Sequence, residues 1–230
     1  MFFRRIRSAK LTKDFSARSE MGFQSLAEEE LSTGSDAVVV DVRGWLKFGQ
    51  GHFPGSWNIG LESPHFISSV GIFVERSHRI FLVAEDGRQA REACLQLVDA
   101  GFLKVAGFLE APRLTRLHRI TQLAVADLKS TLARGGKPQL LDVRSPEEWK
   151  STRIIRSTNI PLETLPGRFA ELSKSKPLVV ICQDGYRSAI ASSWLQAKGF
   201  ESVHHLIGGM ERYSLAPLSE VLPALSFATG

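Results

Sequence analysis

The sequence predicts an α/β protein built as two tandem copies of one domain, each a mainly parallel sheet flanked by helices. Three observations carry this. Short β-branched runs bounded by glycine or proline alternate with segments at helical spacing, as when parallel strands are joined through helices. Asp41, Val42 and Arg43 recur as Asp142, Val143 and Arg144, an offset of 142 − 41 = 101, and the same offset carries SWNIGL at Ser56 onto STNIPL at Ser157. Three residues are then lost: AEDGRQ at Ala84 aligns with CQDGYR at Cys182, and Gly101-Phe102 with Gly199-Phe200, at an offset of 182 − 84 = 98. A chain of 230 residues has room for two units of roughly 100 residues each.

Residues 1–20 read as a solvated basic tail with Arg4, Arg5, Arg7, Lys10 and Lys13. No apolar stretch follows that would make a secretory signal, while an arginine-bearing organellar presequence fits the same composition. The first copy is expected over residues 21–114. It opens with Gly22–Leu31, a short lead-in and then a helix with an acidic outer face. Gly34, Ser35 and Asp36 break that pattern before Ala37–Val42, whose β-branched run reads as a buried strand leading to Arg43. Gly49–Leu61, rich in glycine and holding Phe53 and Trp57, reads as a packed surface loop. Arg79–Val83 is a second strand, Ala84–Gln89 a loop, and Ala90–Ala100 a helix stopped by Gly101.

The junction falls near Pro112–Arg119, and the second copy is expected over residues 119–216, followed by a tail at 217–230. After Arg119–Thr121, Leu123–Leu132 reads as a helix, with Gly135, Gly136 and Pro138 turning out of it. Leu140–Val143 is a strand. Ser145 can cap a helix begun by Pro146, with Glu148 at its third position. Thr152–Leu162 reads as an irregular connection and Leu165–Leu172 as a helix. Pro177 then begins the strand Leu178–Ile181 that delivers Cys182, and small and apolar residues at helical spacing follow from Ser188.

Hydrophobic residues at 43% and charged residues at 23% are the balance of a soluble globular protein. The net charge of +5 is spread along the chain outside the amino-terminal cluster, and no zinc-knuckle spacing or aromatic-rich basic face accompanies it, so no nucleic-acid partner is expected. No apolar run reaches the ~20 residues that span a bilayer, so no membrane association is expected. Cys94 and Cys182 are too few for a disulfide framework, which points to a reducing compartment, by default the cytoplasm.

The chemistry centres on CQDGYRS, residues 182–188. A thiol between a strand end and a helix start meets backbone N–H groups and the positive end of the helix, both of which favour thiolate. Gly185 lets the loop curl, Arg187 supplies a permanent cation, and Ser188 can cap the helix or donate to a bound anion. Cys94, set between alanine and leucine in a helical pattern, reads as core filler.

The DVR-bearing strands, the NIP-type turn, the CxxGxRS loop with GG beyond it, and the GHFPGSWNI segment of the first half together resemble the rhodanese family of sulfurtransferases, from about Gly22 to Tyr213. The paired units are also similar to the carboxyl-terminal part of proteins with a metallo-β-lactamase-like domain ahead of two rhodanese units. His52, His65, His78, His118, His204 and His205 include no HxHxDH cluster, so no metal is expected, and His204 and His205 read as strand residues. The resemblance implies that Cys182 accepts sulfur as a persulfide from a small anionic donor, thiosulfate or a persulfide. A thiol or cyanide-like acceptor would then collect it, without a cofactor. Gln183, Asp184, Gly185, Tyr186, Arg187 and Ser188 would bind substrate, with Asp184 and Tyr186 at the entrance, and Asp142 and Arg144 would brace the fold. Cys182 to Arg187 is C-x4-R, one residue shorter than the C-x5-R of cysteine phosphatases, which weakens that alternative.

Two departures stand out. Ala84 and Gln89 occupy the cysteine and arginine positions of the first copy, which therefore cannot form a persulfide, although Arg88 leaves a cation there. TRIIRS, at Thr152, replaces the GHFPGS pattern in the second copy; Arg153 and Arg156 either add positive potential near the donor or are solvated charges. The degenerate first copy keeps a second reading open, a non-catalytic adaptor or regulatory module that docks a protein partner through the first domain.

Overall fold

The computed structural model describes residues 23–215, so the tails expected over 1–20 and 217–230 lie outside the described residues. The described residues divide into two compact units, which part between Arg119 and Ile120. Among the described residues no helix is long and apolar enough to cross a membrane.

In the first unit, β1 (Ala37–Asp41), β2 (Trp57–Asn58), β3 (Arg79–Ala84) and β4 (Val105–Glu110) form a parallel sheet in the order β2-β1-β3-β4. Parallel neighbours need crossovers, which carry α1 (Trp45–Gln50), α2 (Phe66–Phe73) and α3 (Gly87–Asp99). Residues 38–40 and 80–84 are buried, as strands covered on both faces must be, so their sequences are continuously apolar. Helix α3 begins three residues earlier than Ala90 because the Asp86 carboxylate accepts from Arg88 N and Gln89 N and caps it.

In the second unit, β5 (Thr121–Leu123), β6 (Gln139–Asp142), β7 (Thr158–Asn159), β8 (Leu178–Ile181) and β9 (Val203–Leu206) form a parallel sheet in the order β5-β9-β8-β6-β7. Its helices are α4 (Val125–Ala133), α5 (Pro146–Ser151), α6 (Leu165–Arg168), α7 (Tyr186–Ala197) and α8 (Gly209–Leu215). The capping box at α5 forms as expected: Ser145 Oγ accepts from Glu148 N and Glu148 Oε2 accepts from Ser145 N. Val125, Leu128, Leu140, Val179, Ile181 and Leu206 pack into one core cluster.

Several expectations are corrected. The α-helix expected after the lead-in of Gly22–Leu31 does not form among the described residues. Ser25 bridges Phe108, and a single 3-10 turn spans Glu28–Glu30. Glu28 turns inward, accepting from Thr115 N and Oγ1 and from Arg116 N and Nε, and although burial opposes ionisation these bonds hold its carboxyl down at about 2. The loops over 49–61 and 152–162 each contain a two-residue strand, β2 and β7. Leu165–Leu172 splits into α6 and a 3-10 turn at Phe169–Glu171. No element was expected at α1, α2, β4, β5 or α8, and Leu123, expected to open a helix, ends β5, with α4 starting at Val125.

One buried bracket is built twice. In the first unit Arg43 forks onto Asp41, Nε to Oδ1 at 2.9 Å and Nη2 to Oδ2 at 2.6 Å, and Nη2 also reaches Gly51 O. Asn58 Nδ2 donates to the carbonyls of Asp41 and Arg43, fixing the register of β2. In the second, Arg144 forks onto Asp142 at 3.0 and 2.7 Å and reaches Thr152 O, and Asn159 Nδ2 donates to the carbonyls of Asp142 and Arg144. Both aspartates are fully buried, so each guanidinium answers a charge that would otherwise be stranded.

Candidate active site

Strand β8 delivers Cys182 to the carboxyl edge of its sheet, and α7 starts four residues later, so residues 182–185 turn through the space between a strand end and a helix start. Gly185 makes the turn at φ +121°, a conformation that side chains disfavour. The turn wraps the sulfur. Gly185 N–H donates to Cys182 Sγ at 3.1 Å, Ser188 Oγ lies 3.2 Å from it, and Asp184 Oδ1 lies 3.7 Å away. Asp184 Oδ1 also accepts from Tyr186 N. Helix α8 braces the loop, with Met210 N donating to Cys182 O and Glu211 N to Gln183 O. The approach is close enough that a Cβ on Gly209 would collide with both carbonyl oxygens, which is the physical reason for the GG that follows β9.

The expected preference for thiolate is corrected in the closed loop. Cys182 is fully buried, and burial pushes its thiol up, outweighing the hydrogen bonds from Ser188 and Gly185 that pull it down; the Asp184 carboxylate adds to the rise. Donors to a sulfur anion are in place around a sulfur that burial shields from solvent. Cys94 is also buried, and burial pushes its thiol up to about 11, as core filler should behave.

Arg187 is not an open cation. Its two Nη atoms donate to the two Glu148 oxygens at 2.7 Å each, tying α7 to α5, and this pairing holds the Glu148 carboxyl down at about 2. Gln183 and Asp184 are exposed, Tyr186 half-buried and Ser188 buried. Gln183 Oε1 accepts from Arg144 Nη1, linking the Asp142 bracket to the loop. A cavity of about 410 Å³ lies beside the loop, lined by Arg144, Glu148, Thr152, Gln183, Met210 and Glu211. Arg153 and Arg156 face elsewhere: Arg153 lies over the Trp149 ring, and Arg156 lines a separate cavity with Leu132 and Tyr213. Glu148, expected only in the cap of α5, is also the arginine's partner, and His205, expected only as a strand residue, is buried with Nε2 3.0 Å from Gly185 O.

The first unit holds the same turn with different contents. Ala84 is fully buried where the sulfur would stand, Gly87 N donates to Glu110 Oε1, and Gln89 Oε1 accepts from Glu85 N. Arg88 is exposed, and Lys47 pairs with Glu85 at 2.9 Å.

The sequence of the chain matches the family model of the rhodanese-like domain twice, over residues 24–110 and 124–216. The chain belongs to the rhodanese family. Among rhodanese-like relatives, the thiosulfate sulfurtransferase GlpE of Pseudomonas syringae is 35% identical over 72 residues, 31% of this chain and 68% of that protein. A sulfurtransferase of Allochromatium vinosum is 28% identical over 104 residues, 45% of this chain and 97% of that protein. The uncharacterized protein YqhL of Bacillus subtilis is 36% identical over 77 residues, 34% of this chain, and the match spans 61% of its length. The family match concerns the rhodanese-like units alone and adds nothing to the likeness with metallo-β-lactamase fusions.

Proposed function

We propose that this chain is a sulfurtransferase that carries sulfane sulfur on Cys182. The observation that supports it is the loop: one sulfur at a strand end, with the Gly185 N–H at 3.1 Å and the Ser188 hydroxyl at 3.2 Å, a donor set suited to a sulfur anion. Deprotonated Cys182 attacks the outer sulfur of thiosulfate or of a persulfide. The donor's S–S bond breaks, and sulfite or the donor thiolate leaves with the electron pair. A thiol or cyanide-like acceptor then attacks the terminal sulfur of the Cys182 persulfide, and Cys182 departs as thiolate. Electrons balance without a cofactor.

Gly185 and Ser188 serve the sulfur in this reading. Gln183, Asp184, Tyr186 and Arg187 form the mouth, and Asp142 and Arg144 hold the strand end. Because Cys182 is fully buried, the loop must give way for a donor to reach it. A thiol used this way needs a reducing compartment, by default the cytoplasm. The first unit, with a methyl group at Ala84, takes a structural or partner-docking role.

Intact mass after incubation with thiosulfate, and separately with a low-molecular-weight persulfide, tests the reading. The protein should gain one sulfur that cyanide removes, and Cys182→Ala should gain none. Equal gain by both proteins, or no gain from either donor, would overturn it.

A further inference from the structure

The Gly185 carbonyl is a junction beneath the sulfur. It accepts from Ser188 Oγ at 3.1 Å, from Ala189 N at 3.1 Å and from His205 Nε2 at 3.0 Å, while the amide of the same residue points at Cys182 Sγ. A carbonyl can only accept, so Nε2 carries the imidazole hydrogen. Burial pushes the His205 imidazole down to about 4, so it donates as the neutral ring throughout the neutral range.

Ser188 has one hydrogen and two neighbours that compete for it. With Cys182 as the thiol, S–H has Asp184 Oδ1 at 3.7 Å and Ser188 Oγ at 3.2 Å as acceptors, and the hydroxyl donates to Gly185 O. When the thiol proton leaves to solvent, the sulfur becomes an acceptor and the hydroxyl turns to it; Ser188 keeps its hydrogen throughout. The carbonyl then loses one of three donors.

The first unit provides the comparison. By strand register, Val180 pairs with His205 and Leu82, its counterpart, pairs with Phe108. Phe108 occupies the same place: a Cβ built on Gly87, the counterpart of Gly185, would lie 3.4 Å from Phe108 Cζ. Where Cys182 becomes Ala84, Ser188 becomes Ala90 and His205 becomes a ring without a donor. The fold tolerates that replacement, so folding by itself does not require the imidazole.

Building on the sulfurtransferase reading, we propose that His205 is a positioning residue for Cys182: its Nε2–H holds the Gly185 carbonyl, keeping the Gly185 amide aimed at the sulfur and releasing the Ser188 hydroxyl to stabilise the thiolate or persulfide anion. The charged groups that act on the sulfur are Asp184 on the loop and Arg187 on α7, the latter held by Glu148 from α5.

The test is the pH dependence of Cys182 alkylation by iodoacetamide, read by peptide mass so that Cys94 does not contribute. His205→Phe should move the profile to higher pH and slow alkylation at neutral pH by roughly two- to tenfold, the worth of one hydrogen bond. His205→Gln, whose amide can donate, should recover most of that rate. If His205→Phe does not fold, His205→Val replaces it. A folded variant with the wild-type profile, or a shift that glutamine does not rescue, would overturn the proposal. Alkylation needs no sulfur donor, so a wild-type protein that never gains sulfur defeats the functional reading while the His205 effect is still measured.

Discussion

Replacing Glu148 with glutamine should weaken the second unit at neutral pH and leave it unchanged in strong acid. Both Glu148 oxygens accept from Arg187 at 2.7 Å, and this bidentate pair is the chief reason the carboxyl falls from 4.5 to about 2. That displacement bounds the pair's contribution at about 3 kcal/mol. The two side chains are 33% and 30% exposed, and screening by water reduces it to about 1 kcal/mol. The folded-state value lies below the unfolded one, so the contribution is complete above about pH 4.5 and disappears as pH falls through about 2. Glutamine keeps an oxygen for Ser145 N, so the cap of α5 survives. Urea titration followed through the Trp149 and Trp194 indole resonances reads the second unit alone, since Trp149 Nε1 donates to Ser157 Oγ and Trp194 is buried in α7. A variant as stable as wild type at pH 7, or a deficit as large near pH 2 as at pH 7, would refute this account of the pair.

Ala84→Cys in a Cys182→Ala background should gain no sulfur under conditions that load the wild type, as read by intact mass, because Ala90 offers no hydroxyl and the Gly87 amide is held by Glu110. Gly209→Ala should displace the loop: its Cβ would strike the carbonyls of Cys182 and Gln183 at a φ of +52°. A cost of about 1–3 kcal/mol is expected from strain of that kind, together with loss of persulfide formation, checked by denaturation and intact mass.

The parts legible in the sequence are those where one residue type does one buried job. Asp41, Arg43 and Asn58 repeat as Asp142, Arg144 and Asn159 because each set makes the same bonds, and so the duplication could be read from spacing. The long strands were legible because burial on both faces leaves unbroken apolar runs. Strands β2 and β7 were not, since two residues have no periodicity and their register is set by an asparagine side chain. The correspondence between His205 and Phe108 was hidden for another reason. At the fixed offset of 98, His205 aligns with Gly107 (205 − 98 = 107), but an irregularity between Ile80 and Phe81 slips the pairing with β4 by one residue. The cysteine's surroundings were legible as donors and not as burial, and burial is what pushes the thiol up.

The two units also separate what holds the fold from what serves the sulfur, and energetics explains why one set persists without the other. Removing a single partner from a buried aspartate–arginine fork leaves an uncompensated charge, at a cost of about 3–5 kcal/mol. Neither unit lacks any part of that bracket. The cysteine, serine and histidine set is different, because replacing all of its hydrogen-bonding partners together with apolar groups leaves no orphan and can be nearly neutral. Ala84, Ala90 and Phe108 are that joint replacement. Losing Cys182 alone would leave the Ser188 hydroxyl its bond to Gly185 O, and losing His205 alone would leave that carbonyl two donors. Stability therefore places little demand on the sulfur set, and its presence in the second unit supports the sulfur-carrying role proposed for Cys182.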